Sequence, residues 1–250
     1  FPIAFGVNEL VTNLQLDFNN AVKNQNNILN SMEGIEKGQE NYVDYFKPLA
    51  FGAIETENLV AEDVNKEKET AVYKREDTSK EAIVRYRITP QTDLTYYFLA
   101  PDSLNSEIDY SILLNGQWFT HSKKNMQRQL WQIADNSAGK ETVLEFRFRS
   151  DKVDLSHVGL YRLDVDQIQK VLEKRKAQGL KVEKFSNTHI VGSVDITDDS
   201  QFMMTSIPYS AGWKVKVDGK EVPTSKTWNS LLSFPITSGQ HKVEFVFSQK

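Results

Sequence analysis

Along the middle of the chain, apolar residues return at every second position. AIVRYRI (82–88) places Ala82, Val84, Tyr86 and Ile88 on one side and Ile83, Arg85 and Arg87 on the other, the mark of a strand with one buried face. DLTYYFLA (93–100) follows Pro90 with Leu94, Tyr96 and Phe98 alternating, and VLEFRFRS (143–150) alternates again. In DYSILLNGQWF (109–119) the pair Asn115-Gly116 separates two apolar runs, the strongest short-range hairpin signal. Strands spaced about 8–12 residues apart, with turn residues between them, predict a mainly β fold. The expected core is an antiparallel, jelly-roll-like β-sandwich over 47–163. The same texture returns in HIVGSVDI, FMMTSIPYS, GWKVKVDGKEV, LLSFPI and HKVEFVF, which predicts a smaller C-terminal β-domain over 180–250.

Two segments break the period of two. DFNNAVKNQNNILNSMEG places Phe18, Val22, Ile28, Leu29 and Met32 at three- and four-residue spacing. That predicts a helix within an N-terminal segment, 1–46, with Asp17 as N-cap, Gly34 just past the end, and the Asn and Gln side chains on a solvated face. DVDQIQKVLEKRKAQG (164–179) predicts a connecting helix. Asp164 and Gln167 form a capping box, and Val165, Ile168, Val171 and Leu172 form the stripe. Lys174, Arg175 and Lys176 suit the C-terminal dipole, and Gly179 suits the residue past the end.

Composition narrows the chemistry. The 250 residues are 39% hydrophobic and 26% charged, with net charge −4, which fits a folded chain and gives no basic surface for nucleic acid. There is no cysteine, so disulfides, thiolate nucleophiles and Cys-based metal sites are excluded. The longest apolar run is Tyr96–Ala100, far short of the roughly 20 residues of a membrane helix. His121, His157, His189 and His241 are too separated for a local ligand pair, so no metal is expected, and no Gly-rich phosphate loop or nucleophile elbow occurs, so no cofactor is expected. Asp164-x-Asp166 reads as the acidic start of a helix. The charge run ETENLVAEDVNKEKET (55–70) reads as a solvated sheet edge; as a glycosidase pair it would need two carboxyl groups facing across a cleft. Aromatic residues interleaved with polar ones are the remaining lead. They are either core or sugar-stacking platforms, and Trp118, Phe119 and Trp131 are the glycan-contact candidates.

In SAGWKVKVDGKEV (210–222), Trp213, Val215 and Val217 share a face, Lys214 and Lys216 the other, and Asp218-Gly219 makes the turn. Trp213 is thus expected as a core anchor, and Pro223 after Val222 marks an edge strand. GWKVKVDGKEV followed by FPITSGQHKVEFVF (234–247) resembles the C-terminal signature of the bacterial YfhO membrane-protein family, carried by Gly212, Trp213, Asp218, Gly219, Gly239 and His241. FPIAFGVNE (1–9) and NNAVKNQNNILNSM (19–32) resemble the same family's segment after a membrane helix. The resemblance implies a polytopic protein similar to lipid-linked sugar transferases that glycosylate envelope polymers such as lipoteichoic acid. Its catalytic acids would lie among membrane helices, so no catalytic residue is carried over. The chain would then be an extracytoplasmic, non-catalytic region on the outer side of a bacterial cell membrane. Phe1 would follow one membrane helix and Lys250 would precede another. Its partner would be an envelope glycopolymer or glycolipid. A free-standing glycan-binding sandwich and a glycoside hydrolase remain as alternatives.

Overall fold

The alternating stretches are strands, and every strand pairing among the described residues is antiparallel. The computed structural model describes residues 3–17, 20–65, 68–100, 110–121, 130–198 and 200–248. Phe1, Phe18, Asp109 and Lys250, which entered the sequence reading, lie outside them. The chain divides into a central unit (19–22 and 45–165) and a terminal unit (1–18, 23–44 and 166–250).

The chain begins with strand β1 (Ala4–Val7), a single turn α1 (Leu10–Asn13) and helix α2 (Ala21–Met32). The helix starts four residues after Asp17, which is therefore not its N-cap. Asn24 instead holds the Asp17 backbone, donating from Nδ2 to its carbonyl at 2.7 Å and accepting its N–H at 2.9 Å. Gly34 does close the helix. It takes φ +75°, Gly34 N donates to Ser31 O, and Ile35 N donates to Asn30 O, the paired bonds of a Schellman end. The Asn-rich face is not solvated. Asn26 and Asn30 are buried. Asn30 donates to the carbonyls of Asn26 and Val43, both at 2.8 Å, and accepts the Val43 N–H at 2.9 Å. A side-chain amide carries both a donor and an acceptor, so it pairs with a passing backbone segment as a strand would.

The central unit follows with β2 (Phe46–Leu49), β3 (Ala53–Glu57), β4 (Leu59–Asn65), β5 (Thr70–Arg75), β6 (Ala82–Ile88) and β7 (Thr95–Leu99). It continues with β8 (Tyr110–Leu114), β9 (Gln117–His121), β10 (Leu130–Ala134), β11 (Thr142–Phe148), β12 (Lys152–Asp154) and β13 (Gly159–Leu163). Two sheets, ordered β3-β6-β11-β8-β9 and β10-β7-β13-β2, face one another. Tyr86 and Phe146 from the first meet Phe98 from the second at 5.1 and 5.6 Å between ring centroids, and Trp131 stacks on Phe98 at 6.0 Å. The aromatic residues on the inward parity of β6, β7 and β11 thus form the core. The charge run 55–70 lies on two sheet edges: β3 borders the five-stranded sheet, and β4 borders a three-stranded sheet ordered β12-β5-β4.

Helix α3 (Val165–Ala177) leads back to the terminal unit. Its buried residues are Val171 and Arg175, while Val165 and Leu172 are exposed. The stripe expected through Leu172 is therefore turned, and a cation occupies the buried line. Gly179 forms a β-bridge with Phe5. The strands are β14 (Lys181–Phe185), β15 (His189–Ile196), β16 (Phe202–Pro208), β17 (Trp213–Val217), β18 (Lys220–Val222), β19 (Ser225–Thr227), β20 (Leu231–Pro235) and β21 (Gly239–Phe247). Sheets β14-β15-β21-β17-β18 and β1-β16-β20-β19 make a second sandwich, with Phe234 edge-on to Phe245 at 5.6 Å in its core. β1, read as part of a helical segment, completes this sandwich by pairing Ala4 with Thr205 through Val7 with Phe202. β18 is an edge strand, as Pro223 requires.

Candidate functional site

The outward parity of β3, β6 and β11 in the central five-stranded sheet builds a ladder of Arg and Glu, which buried Leu113 separates from Trp118. Register places Glu55 opposite Arg85, Arg85 opposite Glu145, Glu145 opposite Leu113, and Leu113 opposite Trp118. Arg85 pairs with both Glu57 and Glu145, and Arg147 Nε reaches Glu145 Oε1 at 2.7 Å. Arg87 spans Glu55 at 2.7 Å and Glu141 at 2.9 Å. Partial burial raises the pKa of Glu145, but the hydrogen bonds from Arg147 and Arg85 outweigh it and hold the carboxyl below its ordinary value. The Arg87 hydrogen bond does the same for Glu55.

Trp118 stands at the end of this line. Asn115 and Gly116 take φ +52° and +79°, the left-handed pair that a tight hairpin between β8 and β9 needs. Asn115 fastens the turn to β11, donating its N–H to Val143 O at 2.9 Å and accepting the Val143 N–H at 2.8 Å. Ile112 then pairs with Thr120 but Leu113 with Trp118, so Phe119 is an extra residue in a β-bulge. A bulge breaks the in–out alternation, and both neighbouring aromatics reach solvent: Trp118 is 63% exposed and Phe119 38%. Phe119 also sets an edge against Trp131 at 6.0 Å. Trp131 is the candidate the structure removes: only 8% exposed, it lies among core rings and presents no open face to a sugar. Both tryptophans lie on strands, and the sheet packing places one outside and one within.

Of the signature residues, Asp218, Gly219, Gly239 and His241 form a knot at one end of β17, and Gly212 and Trp213 pack on Phe247 at the other. Asp218 and Gly219 take φ +50° and +80° as the β17–β18 turn. The Asp218 carboxylate accepts the Lys242 N–H at 2.8 Å and meets His241 Nδ1 at 2.8 Å. His241 Nε2 faces the Thr237 carbonyl at 3.0 Å. The Thr237 hydroxyl also lies 3.2 Å from Nε2, and the carboxylate at Nδ1 favours the charged form of the ring. The Asp218 hydrogen bond accordingly raises the His241 pKa, and the His241 bond lowers that of Asp218. Gly239 opens β21 with φ +117°, a conformation that suits glycine. A Cβ on Gly212 would lie 2.6 Å from the Phe247 ring. Trp213 is half-buried, packed on Phe247 at 5.1 Å at the margin of the core and not within it. A shallow cavity of about 390 Å³ beside His241 has a lining of mixed sign, with Lys181, Asp195 and Lys242.

Arg175 lies in the last turn of α3, as its spacing predicts, and is also a buried cation. It is 1% exposed. Its Nη2 lies 2.6 Å from Asp198 Oδ2 and 3.0 Å from Glu33 Oε1, and its Nη1 donates to Gly6 O at 3.0 Å and Ser200 Oγ at 3.1 Å. Burial raises the Asp198 pKa, but hydrogen bonds from Ser200, Gln178 and Arg175 overcome it and hold the carboxyl well below the carboxylate range. The signal was present in the spacing: Arg175 lies four residues after Val171 on the buried line of α3. Among the described residues no cluster of His, Asp or Glu fits a metal ion, and no helix is long and apolar enough to cross a membrane.

Comparison with known proteins gives the following. The family model "Bacterial membrane protein YfhO" matches residues 1–250. "Uncharacterized protein YfhO" of Bacillus subtilis (strain 168) is 21% identical over 94 residues, covering 38% of this chain and 11% of that protein. Two solved structures are distantly similar. A cycloisomaltooligosaccharide glucanotransferase of Paenibacillus sp. shares 6% identity over 96% of this chain and 54% of its own, with a TM-score of 0.32. A β-glucuronidase of Ruminococcus gnavus shares 8% identity over 82% and 45%, with a TM-score of 0.28. At those scores neither likeness carries an argument about fold or activity.

Proposed function

The chain belongs to the YfhO family of bacterial membrane proteins, and on that premise we propose that it is an extracytoplasmic glycan-recognition region. It would hold an envelope polymer of the lipoteichoic acid class, or its glycolipid precursor, for a sugar-transfer site elsewhere in the full-length protein. The observation that supports this reading is Trp118, 63% exposed at the end of a sheet face lined with arginine and glutamate. An indole face stacks on the apolar face of a sugar ring, while carboxylates and guanidinium groups bind neighbouring hydroxyls in pairs. Fixed strands and ion pairs hold these groups before the ligand arrives, which lowers the entropy cost of binding.

The test is titration of purified lipoteichoic acid into the chain and into W118A by calorimetry. Binding by the parent and its loss in W118A, with an unchanged melting midpoint, is the expected result. Equal binding by both, or none by the parent, overturns the reading.

A further inference from the structure

The terminal unit gathers the first and last described residues at one end of its sandwich. Ser206 N donates to Ile3 O at 2.9 Å, and Ser248 N donates to Gly212 O at 3.0 Å. Six residues carry the backbone from Ser206 to Gly212, a reach of at most about 20 Å. The β19–β20 turn lies at the same end, because Pro208 pairs with Leu231 and Tyr209 N donates to Ser230 O at 2.7 Å. Ile3 and Ser248, the first and last described residues, thus both bond to backbone near this turn.

The residues gathered there have an unusual composition. Tyr209, Trp213, Trp228 and Phe247 are half-buried, each keeping part of its ring at the surface. Trp228 and Asn229 form the tip of the turn with φ +51° and +57°. That backbone region suits Asn or Gly and costs a bulky residue of order 1 kcal/mol or more, so an aromatic is held at the tip against local preference. Lys226 lies over the Tyr209 ring with Nζ 5.0 Å from its centroid, and exposed Lys214 reaches Glu221 at 3.4 Å. Residues 200–217 and 222–243 contain no Asp or Glu, although the whole chain has 34 acidic residues.

We infer that this end is a membrane-docking rim that rests on anionic lipid headgroups. Tyr209 and Trp213 carry an apolar body and a polar tip that settles at the level of the headgroups, while Trp228, whose Nε1 is buried, contributes only the exposed part of its ring. Lys226 and Lys214 meet lipid phosphate, Lys214 exchanging its exposed pair with Glu221 for it, and stretches 200–217 and 222–243 add no carboxylate of their own to a chain of net charge −4. The inference rests on the family's membrane character and takes from the proposed function only a place beside the bilayer; the sugar face is independent of it.

The test is co-sedimentation of the 250-residue chain with mixed phosphatidylglycerol–phosphatidylcholine vesicles and with phosphatidylcholine alone. Binding to the anionic vesicles only, weakened by salt, is expected. The double variant K214Q/K226Q should bind about tenfold more weakly with an unchanged melting midpoint, since both side chains are exposed. Brominated phosphatidylcholine in the anionic vesicles should quench tryptophan emission, and W228F should lose part of that quenching. W118A should leave vesicle binding unaltered, although it abolishes polymer binding under the proposed function. Absence of binding at low salt, equal binding to neutral vesicles, full binding by K214Q/K226Q, or loss of binding in W118A overturns the rim.

Discussion

In the central unit Arg85, Arg87 and Arg147 lie on a sheet face, with side chains 21–38% exposed. In the terminal unit Arg175 is 1% exposed. Both sets are paired with carboxylates at hydrogen-bond distance, yet they do different work. Water screens the ladder, so each pair adds little stability and the face remains available to a ligand. Around Arg175 little water enters. The guanidinium hydrogen-bonds the Gly6 carbonyl, Ser200 and Asp198 and ion-pairs with Glu33, tying β1, the end of α2, α3 and the loop after β15 into one sandwich. The same residue types make a surface in one place and a fastening in the other, and burial decides which.

The comparison breaks most easily at Arg175. R175M should destabilise the terminal unit by about 3 kcal/mol, because it leaves partly buried carboxylates without their cation. R175M/D198N should recover part of the loss, and urea melts of the three proteins check both. Equal stability of R175M and the parent would make the cluster another surface ladder. Trp213, at the margin of the core, should cost about 2 kcal/mol when changed to alanine, less than a fully buried tryptophan, and thermal melts read the difference.

The signature knot gives a pH test. His241 has its pKa raised by folding above the ordinary 6.5, so its contribution is complete below that value and is lost as pH rises through the raised one. Asp218 has its pKa lowered from 3.8, so its contribution is present above that value and is lost as pH falls through the lowered one. Stability from the pair is therefore greatest between the two, and H241Q should flatten the alkaline limb of a melting-temperature profile. An identical limb in H241Q would show that the pair contributes nothing. The smallest effect belongs to the ladder: R87A should leave the melting midpoint almost unchanged, and added salt should erase the difference.

Much of this was readable along the chain. Period-two alternation located β6, β7 and β11 and the rings they bury, and the Asn-Gly and Asp-Gly pairs located two hairpins. Gly34 was readable as a helix end. Asn30 was not readable as core, because an amide is buried only when a particular backbone segment arrives to satisfy it, and Val43 is 13 residues away. The strand character of Ala4–Val7 was hidden for a related reason: four residues carry little periodic signal, and their partner, β16, lies about 200 residues on. Trp118 and Trp131 were both glycan-contact candidates, and the bulge at Phe119 and the facing sheet placed one outside and one within.

The sequence by itself determined the class of the fold, the turns that glycine and asparagine permit, and the family, through a hairpin and strand that carry the signature. These depend on local sterics and on the spacing of apolar residues, both written along the chain. Only the tertiary structure decided which aromatics are exposed, that Arg175 is a buried fastening, and that β1 closes the second sandwich. Burial depends on what packs from far along the chain, and a charge or an amide takes its role from the dielectric and the partners that packing supplies.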